Sequence, residues 1–263
     1  MSPLQYELDY YGNAVLCRLI LFRHGETDFN AAGKYQGQSF DEPLNNTGVM
    51  QSYQLLELFE QHAINLDCVV SSPARRATET TDPLCRKRKI PLIIDHNWQE
   101  VNFGIGEGRK KSEIPASQIA AHYDFYNDFF CWTNGESRID AKKRALAAVR
   151  NAVNNIRPQG LFNIGISCHG SLLGNLIAMF SQGINTNFLA NNCYYSCDSH
   201  LPQKWENLFT TTCITRMNRT EIIPLPKNSD VFVMELARTE YGEGIACSFN
   251  HISKLLRHRQ QCA

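Results

Sequence analysis

Between Val15 and Phe22 the sequence is apolar except at Cys17 and Arg18, and it then stops abruptly at Arg23-His24-Gly25. A run of this length and composition reads as a buried strand. Open α/β sheets bind ligands outside the carboxyl ends of their strands, so a cation, an imidazole and a glycine here mark a prospective site. Gly25 permits a sharp turn without a Cβ clash, which leaves Arg23 and His24 on the rim. Arginine offers a planar fork of donors suited to phosphate, and neutral imidazole is a competent nucleophile. Alone, the tripeptide is a weak signal, since most such triplets belong to surface loops.

Two further strand ends give it company. Leu66 to Val70 reads as a short buried strand ending at Ser71-Ser72-Pro73, and Ala74-Arg75-Arg76-Ala77 opens the helix behind it. A cation in a first helical turn sits beside the positive end of the dipole, a costly place unless an anion is near. One of Arg75 and Arg76 fits that description, and the other is a solvated helix face. Leu161 to Cys168 is the third strand of this kind, ending at His169-Gly170-Ser171 ahead of an apolar helix over 172–180.

Helices alternate with these strands. Val49 to Ala63 is amphipathic behind Thr47 as N-cap, and Pro91 to Asp95 is a further strand. Arg86 to Lys89 suits the negative end of a helix dipole and reads as solvated rather than as a nucleic-acid patch. Ser112 to Phe130 is an aromatic helix or cap whose rings are expected to pack rather than touch a ligand. Asn134-Gly135-Glu136-Ser137 opens a helix with Ala141, Ala145, Ala148, Val149 and Ala152 on its buried face. Farther on, 209–217 and 231–236 read as strands, Phe249 to Arg257 as a closing helix, and Asn187 to Asn207 as an irregular insertion.

The string Arg23-His24-Gly25-Glu26-Thr27, with Asn30, Gly33, Gln36 and Gly37, resembles the entry motif of the histidine phosphatase superfamily, the phosphoglycerate-mutase-like fold. Ser71-Ser72 with Arg76-Ala77 and Thr80, Glu100 with Phe103-Gly104 and Glu107-Gly108, and Ser167 with His169-Gly170 match three more of its segments. The match runs from about Leu16 to Ser181 and thins after Gly183. It implies an α/β three-layer sandwich with a mostly parallel central sheet. Residues 1–263 are expected to form one domain whose part from about 183 to 263 is divergent.

The resemblance also assigns roles. His24 is the nucleophile that becomes phosphohistidine, and Arg23, Arg76 and His169 hold the phosphoryl oxygens. Asn30, Gln36 and Gly37 join the substrate-binding set, Arg75 is left to solvent, and Glu100 is the proton donor, with Glu107 as its competitor. Members often carry tryptophan at the place of Gly106, a departure that bears on pocket shape. The implied activity is metal-independent hydrolysis of a small phosphorylated metabolite. A phosphoglycerate mutase and a non-catalytic module that binds a phospho-ligand are the alternatives.

Composition narrows the classes. The formal net charge is zero, so no global field favours nucleic acid or an anionic membrane, and anion recognition must be local. No apolar run approaches the length of a membrane span, and the first residues lack the pattern of a secretory signal, which predicts a cytosolic protein. Among ten cysteines, Cys17, Cys68 and Cys168 fall in or beside core strands, where a thiol packs as a small apolar group. Cys193, Cys197, His200 and Cys213 do not have the usual zinc spacing, so neither metal nor cofactor is expected. Oligomeric state and natural substrate stay open.

Overall fold

Side-chain alternation along the first strand divides the core into two layers. In the computed structural model, which describes residues 15–61, 63–125, 127–155, 163–181, 214–215, 227–228, 231–238 and 245–251, β1 spans Val15–Arg23. Its Cys17, Leu19 and Leu21 enter one apolar cluster and its Ile20 and Phe22 another, the period of two of a strand buried on both faces. The first cluster is completed by α5 (Arg138–Asn155) and α6 (Gly170–Ser181), through Ala145, Val149, Leu172 and Leu176 among others. The second is completed by α2 (Asn46–Gln61) and α3 (Arg75–Arg88), through Leu55, Phe59 and Leu84. Phe59 and Leu84 are fully buried, each contributing roughly 1.5–3 kcal/mol of transfer free energy.

Helices on both faces of one sheet make the expected three-layer α/β sandwich, and the shorter helices are α1 (Asp28–Ala31) and α4 (Ala116–Tyr123). The sheet has seven strands in the order β3-β2-β4-β1-β6-β7-β5, where β2 is Cys68–Ser71, β3 Leu92–Ile94, β4 Asn163–Cys168, β5 Ile214–Thr215, β6 Val231–Arg238 and β7 Ile245–His251. The four strands from β3 to β1 are parallel, β6 runs against both its neighbours, and β5 is parallel to β7. β4 lies between β2 and β1, and its register brings their carboxyl ends level: Arg23 faces Cys168 and Ser71 faces Ser167. Two loop hydrogen bonds extend the ladder one residue, from His24 N–H to the Cys168 carbonyl and from Ser72 N–H to the Ser167 carbonyl, each 3.0 Å.

Several local expectations need correction. The N-cap of α2 is Asn45, whose Oδ1 accepts the Gly48 N–H at 2.9 Å, while Thr47 lies inside the helix. Residues 249–251 are the end of strand β7, not the start of a helix, because Phe249 and His251 pair with Met234 and Phe232 of β6. The Cβ clash avoided at Gly25 is with a helix: a Cβ there would lie 2.7 Å from the Gly48 carbonyl oxygen, so glycine is needed for close approach of the loop to α2.

Cys17, Cys68 and Cys168 are buried and unbridged. The cluster Cys193, Cys197, His200 and Cys213 and the stretch Asn187 to Asn207 lie outside the described residues. Among the described residues no helix is long and apolar enough to cross a membrane.

Candidate active site

The level strand ends place their terminal side chains in one group. The rings of His24 and His169 lie 5.1 Å apart between centroids. Above them opens a cleft with an empty volume of about 440 Å³, bordered by Arg23, His24, Asn30, Gln36, Gly37, Arg76 and Glu100. Every site residue expected from the sequence borders it except His169, which is fully buried against His24 and Ser72. Arg75 is turned to solvent and pairs with Glu79 at 2.6 Å, whereas Arg76 is buried and borders the cleft.

His24 has a fixed tautomer. Its Nδ1 lies 2.7 Å from the Gly25 carbonyl oxygen, an acceptor only, so Nδ1 carries the proton and Nε2 keeps its lone pair. Burial pushes its pKa well below the ordinary 6.5, and the Arg76 and Arg23 guanidinium groups push the same way. His169 is lowered likewise, by burial first and then by Arg76. His169 Nε2 meets Ser72 Oγ at 2.8 Å, while its Nδ1 has no hydrogen-bond partner among the described residues.

Arg76 is held by the loop after Lys34. Its Nη2 donates to the Gly37 carbonyl at 2.9 Å and its Nη1 to that of Phe40 at 3.2 Å. These use two of its five N–H groups, and its buried Nε has no hydrogen-bond partner among the described residues. Burial pushes its pKa down to about 10, a cost that the Glu100 and Asp41 carboxylates partly offset. Gln36 Nε2 is another buried donor without a partner among the described residues. Buried donors left open beside a cleft are suited to a ligand rich in acceptor oxygens.

The two candidate carboxylates are placed very differently. Glu100 borders the cleft and sits on the amino end of α6: its Oε2 accepts the Ser171 N–H at 3.1 Å, and its Oε1 accepts those of Leu172 and Val101, both at 2.9 Å. Glu107 is a strut outside the cleft lining. It accepts the N–H groups of Gln38, Ser39 and Phe103 and packs on Gly37, whose φ is +61°. At Gly106 a Cβ would lie 2.9 Å from the Trp132 ring, so Trp132 fills the volume that a side chain at 106 would take.

Asn228 is a neighbour that the sequence reading missed. Its Nδ2 donates to the His24 carbonyl at 2.9 Å and to Asn30 Oδ1 at 3.1 Å. Asn30 Oδ1 also accepts the Thr27 N–H, so the Asn30 NH₂ is left for the cleft. Asn228→Asp keeps the shape and removes the donor. It is expected to lower kcat/KM by roughly tenfold or more, the worth of a hydrogen bond near a charged site. Steady-state kinetics beside an unchanged melting temperature check this.

The buried neutral histidines also bear on stability. Protonation is disfavoured in the folded state, so the unfolded chain binds more protons once the pH falls below about 6.5, and stability drops from there. His24 and His169 contribute, together with His122, whose pKa burial pushes down to about 3, aided by Arg138 and Lys111. Denaturant midpoints are expected to fall steadily between pH 6.5 and 4.5. A flat profile contradicts their neutrality.

The comparisons agree with this geometry. The model of the histidine phosphatase superfamily, branch 1, matches residues 19–205. A glucosyl-3-phosphoglycerate phosphatase of Mycolicibacterium vanbaalenii is 30% identical over 167 residues, 61% of this chain and 72% of that protein. An uncharacterized phosphatase of Bacillus subtilis, PhoE, is 28% identical over 188 residues, 70% and 89% of the two chains. The fold of a mycobacterial glucosyl-3-phosphoglycerate phosphatase complexed with VO3 superposes with a TM-score of 0.61 at 20% identity, covering 89% of this chain and 97% of that one. A sheet with imidazoles at its level strand ends, the family model and these relatives lead to one conclusion: the chain belongs to the histidine phosphatase superfamily, branch 1, and is one of its phosphatases.

Proposed function

We propose that this phosphatase hydrolyses a small phosphomonoester without a metal ion, through a phosphohistidine at His24. The observation that carries the reading is the His24 Nδ1 contact with the Gly25 carbonyl, which leaves the Nε2 lone pair for phosphorus. In the first step Nε2 attacks phosphorus, the bond to the leaving oxygen breaks, and Glu100 gives that oxygen a proton. Its Oε2, with one N–H partner against two on Oε1, has a lone pair to hold the transferred proton. In the second step a water oxygen displaces Nε2 and the water's proton goes to Glu100. Arg23 and Arg76 are fixed cations for the equatorial oxygens, with Asn30, Gln36 and the Gly37 segment beside them and His169 behind His24. Such preorganised charge does the work that Mg²⁺ does in other phosphoryl transfers.

Rapid quenching with a labelled phosphomonoester in the presence of EDTA tests it. The expected result is a protein-bound label that is stable in base and lost in acid, followed by release of inorganic phosphate. A reaction abolished by the chelator overturns metal independence, and transfer to another position of the substrate instead of release points to a mutase.

A further inference from the structure

Away from the cleft, Arg144 of α5 spends all of its donors inside the protein. It does not border the cleft, and its side chain and that of Glu136 are only 18% and 15% exposed. Its Nε and Nη2 donate to the two carboxylate oxygens of Glu136 at 2.8 and 2.7 Å, a bidentate pair. The other three N–H groups go to main-chain carbonyls, those of Asn97 and Gln99 at 2.8 Å each and that of Glu100 at 3.3 Å. A guanidinium has five N–H groups, so none is left for a ligand.

Those carbonyls belong to the stretch that carries Glu100. Residues 99–103 lie in no helix or strand, so no ladder fixes the backbone on either side of it. Glu136 secures the far end of the same stretch. Its N–H donates to the Asn102 carbonyl at 2.8 Å, and its Oε2 accepts the Asn102 N–H at 3.4 Å. Gln38 Nε2 donates to the Glu100 carbonyl as well, at 2.6 Å.

Two charges taken out of water gain little net stability even when well paired, so such a pair is a poor means of merely stabilising a loop. What it supplies is geometry, because the planar fork fits one arrangement of its acceptors. The Glu100 carboxylate is thus fixed twice. The amino end of α6 grips its oxygens, and the guanidinium sets the backbone from which it reaches.

From this arrangement we infer that Arg144, with Glu136 as its counter-ion, is a positioning residue that sets the reach of Glu100 toward the leaving oxygen. The inference rests on the reading of Glu100 as the proton donor. A misplacement of about 1 Å can cost roughly a hundredfold, and here the loss falls on proton donation rather than on attack by His24.

Leaving-group dependence separates positioning from stability. In the full chain, Arg144→Gln is expected to slow the first step with glycerol 3-phosphate by roughly 10- to 100-fold, and with p-nitrophenyl phosphate by less than about threefold. Loss of stability alone would slow both equally. In a Glu100→Gln background, which has no proton to place, the same substitution is expected to change neither rate by more than about threefold. Arg144→Lys keeps the charge but not the fork, and serves if the glutamine variant does not fold. It is expected to discriminate in the same direction, by about tenfold at most. Amide exchange gives a readout without turnover. The Val101, Ser171 and Leu172 N–H groups donate to the Glu100 carboxylate. Relative to Ile164 and Ile166 of β4, they are expected to exchange at least about tenfold faster in the Arg144 variants. Equal slowing of the two substrates, or unchanged exchange at the three amides, overturns the inference. If Glu100→Gln itself does not discriminate, or the unaltered protein releases no phosphate, the proton-donor reading falls. The exchange rates then decide alone whether Arg144 seats Glu100.

Discussion

His24→Ala is expected to lower the rate of phosphate release by at least about 10⁴-fold, which is roughly 5.5 kcal/mol of transition-state stabilisation. The size follows from what the substitution removes and what it leaves. Arg23, Arg76 and the open donors of the cleft still bind and polarise the phosphoryl group, so affinity for substrate persists. The lone pair proposed to attack phosphorus is gone, and the neighbouring imidazole does not replace it, because His169 Nε2 is engaged with Ser72 Oγ. Water would have to attack directly, without the split into two easier steps. Labelling of the protein by substrate phosphate is expected to vanish together with turnover. Because His24 is only 3% exposed, the variant leaves a cavity, and a circular dichroism melt must accompany the assay. A folded variant with ordinary activity would sink the whole mechanism.

Much of this site was legible from strand ends alone. Arg23-His24, Ser71-Ser72 and Cys168-His169 each close an apolar run, and the parallel register of β1, β4 and β2 sets those ends level although the strands begin at different heights. What the runs did not state is which strands are neighbours: β4 pairs with both β1 and β2 only because the chain returns between them after α5. The choice of Arg76 over Arg75 came from the family pattern, and the structure gives its cause. Arg76 reaches the carbonyls of a loop about forty residues upstream, a contact that no local period reveals.

The misses share a cause. Asn228 touches His24 and Asn30 across roughly two hundred residues of sequence, and an isolated asparagine in a polar stretch gives no sign of it. The rings between Ser112 and Phe130, Tyr123 among them, are expected to pack rather than touch a ligand, yet Tyr123 and His122 at the end of that helix also border the cleft. At residues 249–251 an apolar pattern compatible with a helix was overridden by pairing with β6, the usual fate of short ambiguous runs. The need for Gly25 is nonlocal too, since its bare backbone lets the loop touch Gly48 of α2.

Glu100→Gln is expected to slow hydrolysis of alkyl phosphates by roughly the 10²–10⁴-fold typical of general acid catalysis, and to slow p-nitrophenyl phosphate far less. An alkoxide leaving group needs a proton as its bond to phosphorus breaks, while a nitrophenolate is stable without one. The amide oxygen of glutamine still accepts the N–H groups at the amino end of α6, so part of the local bonding survives, but it has no proton to give. Single-turnover measurement of the first step is the proper assay, because a slow second step would depress both substrates equally. Glu107→Gln is the control. Glu107 accepts the Gln38, Ser39 and Phe103 N–H groups that shape the loop holding Arg76, so its loss weakens the site without regard to the leaving group. Its two substrates are expected to slow by the same factor. If instead Glu107→Gln discriminates between them and Glu100→Gln does not, the proton comes from Glu107 and the carboxylate on the amino end of α6 is only a cap.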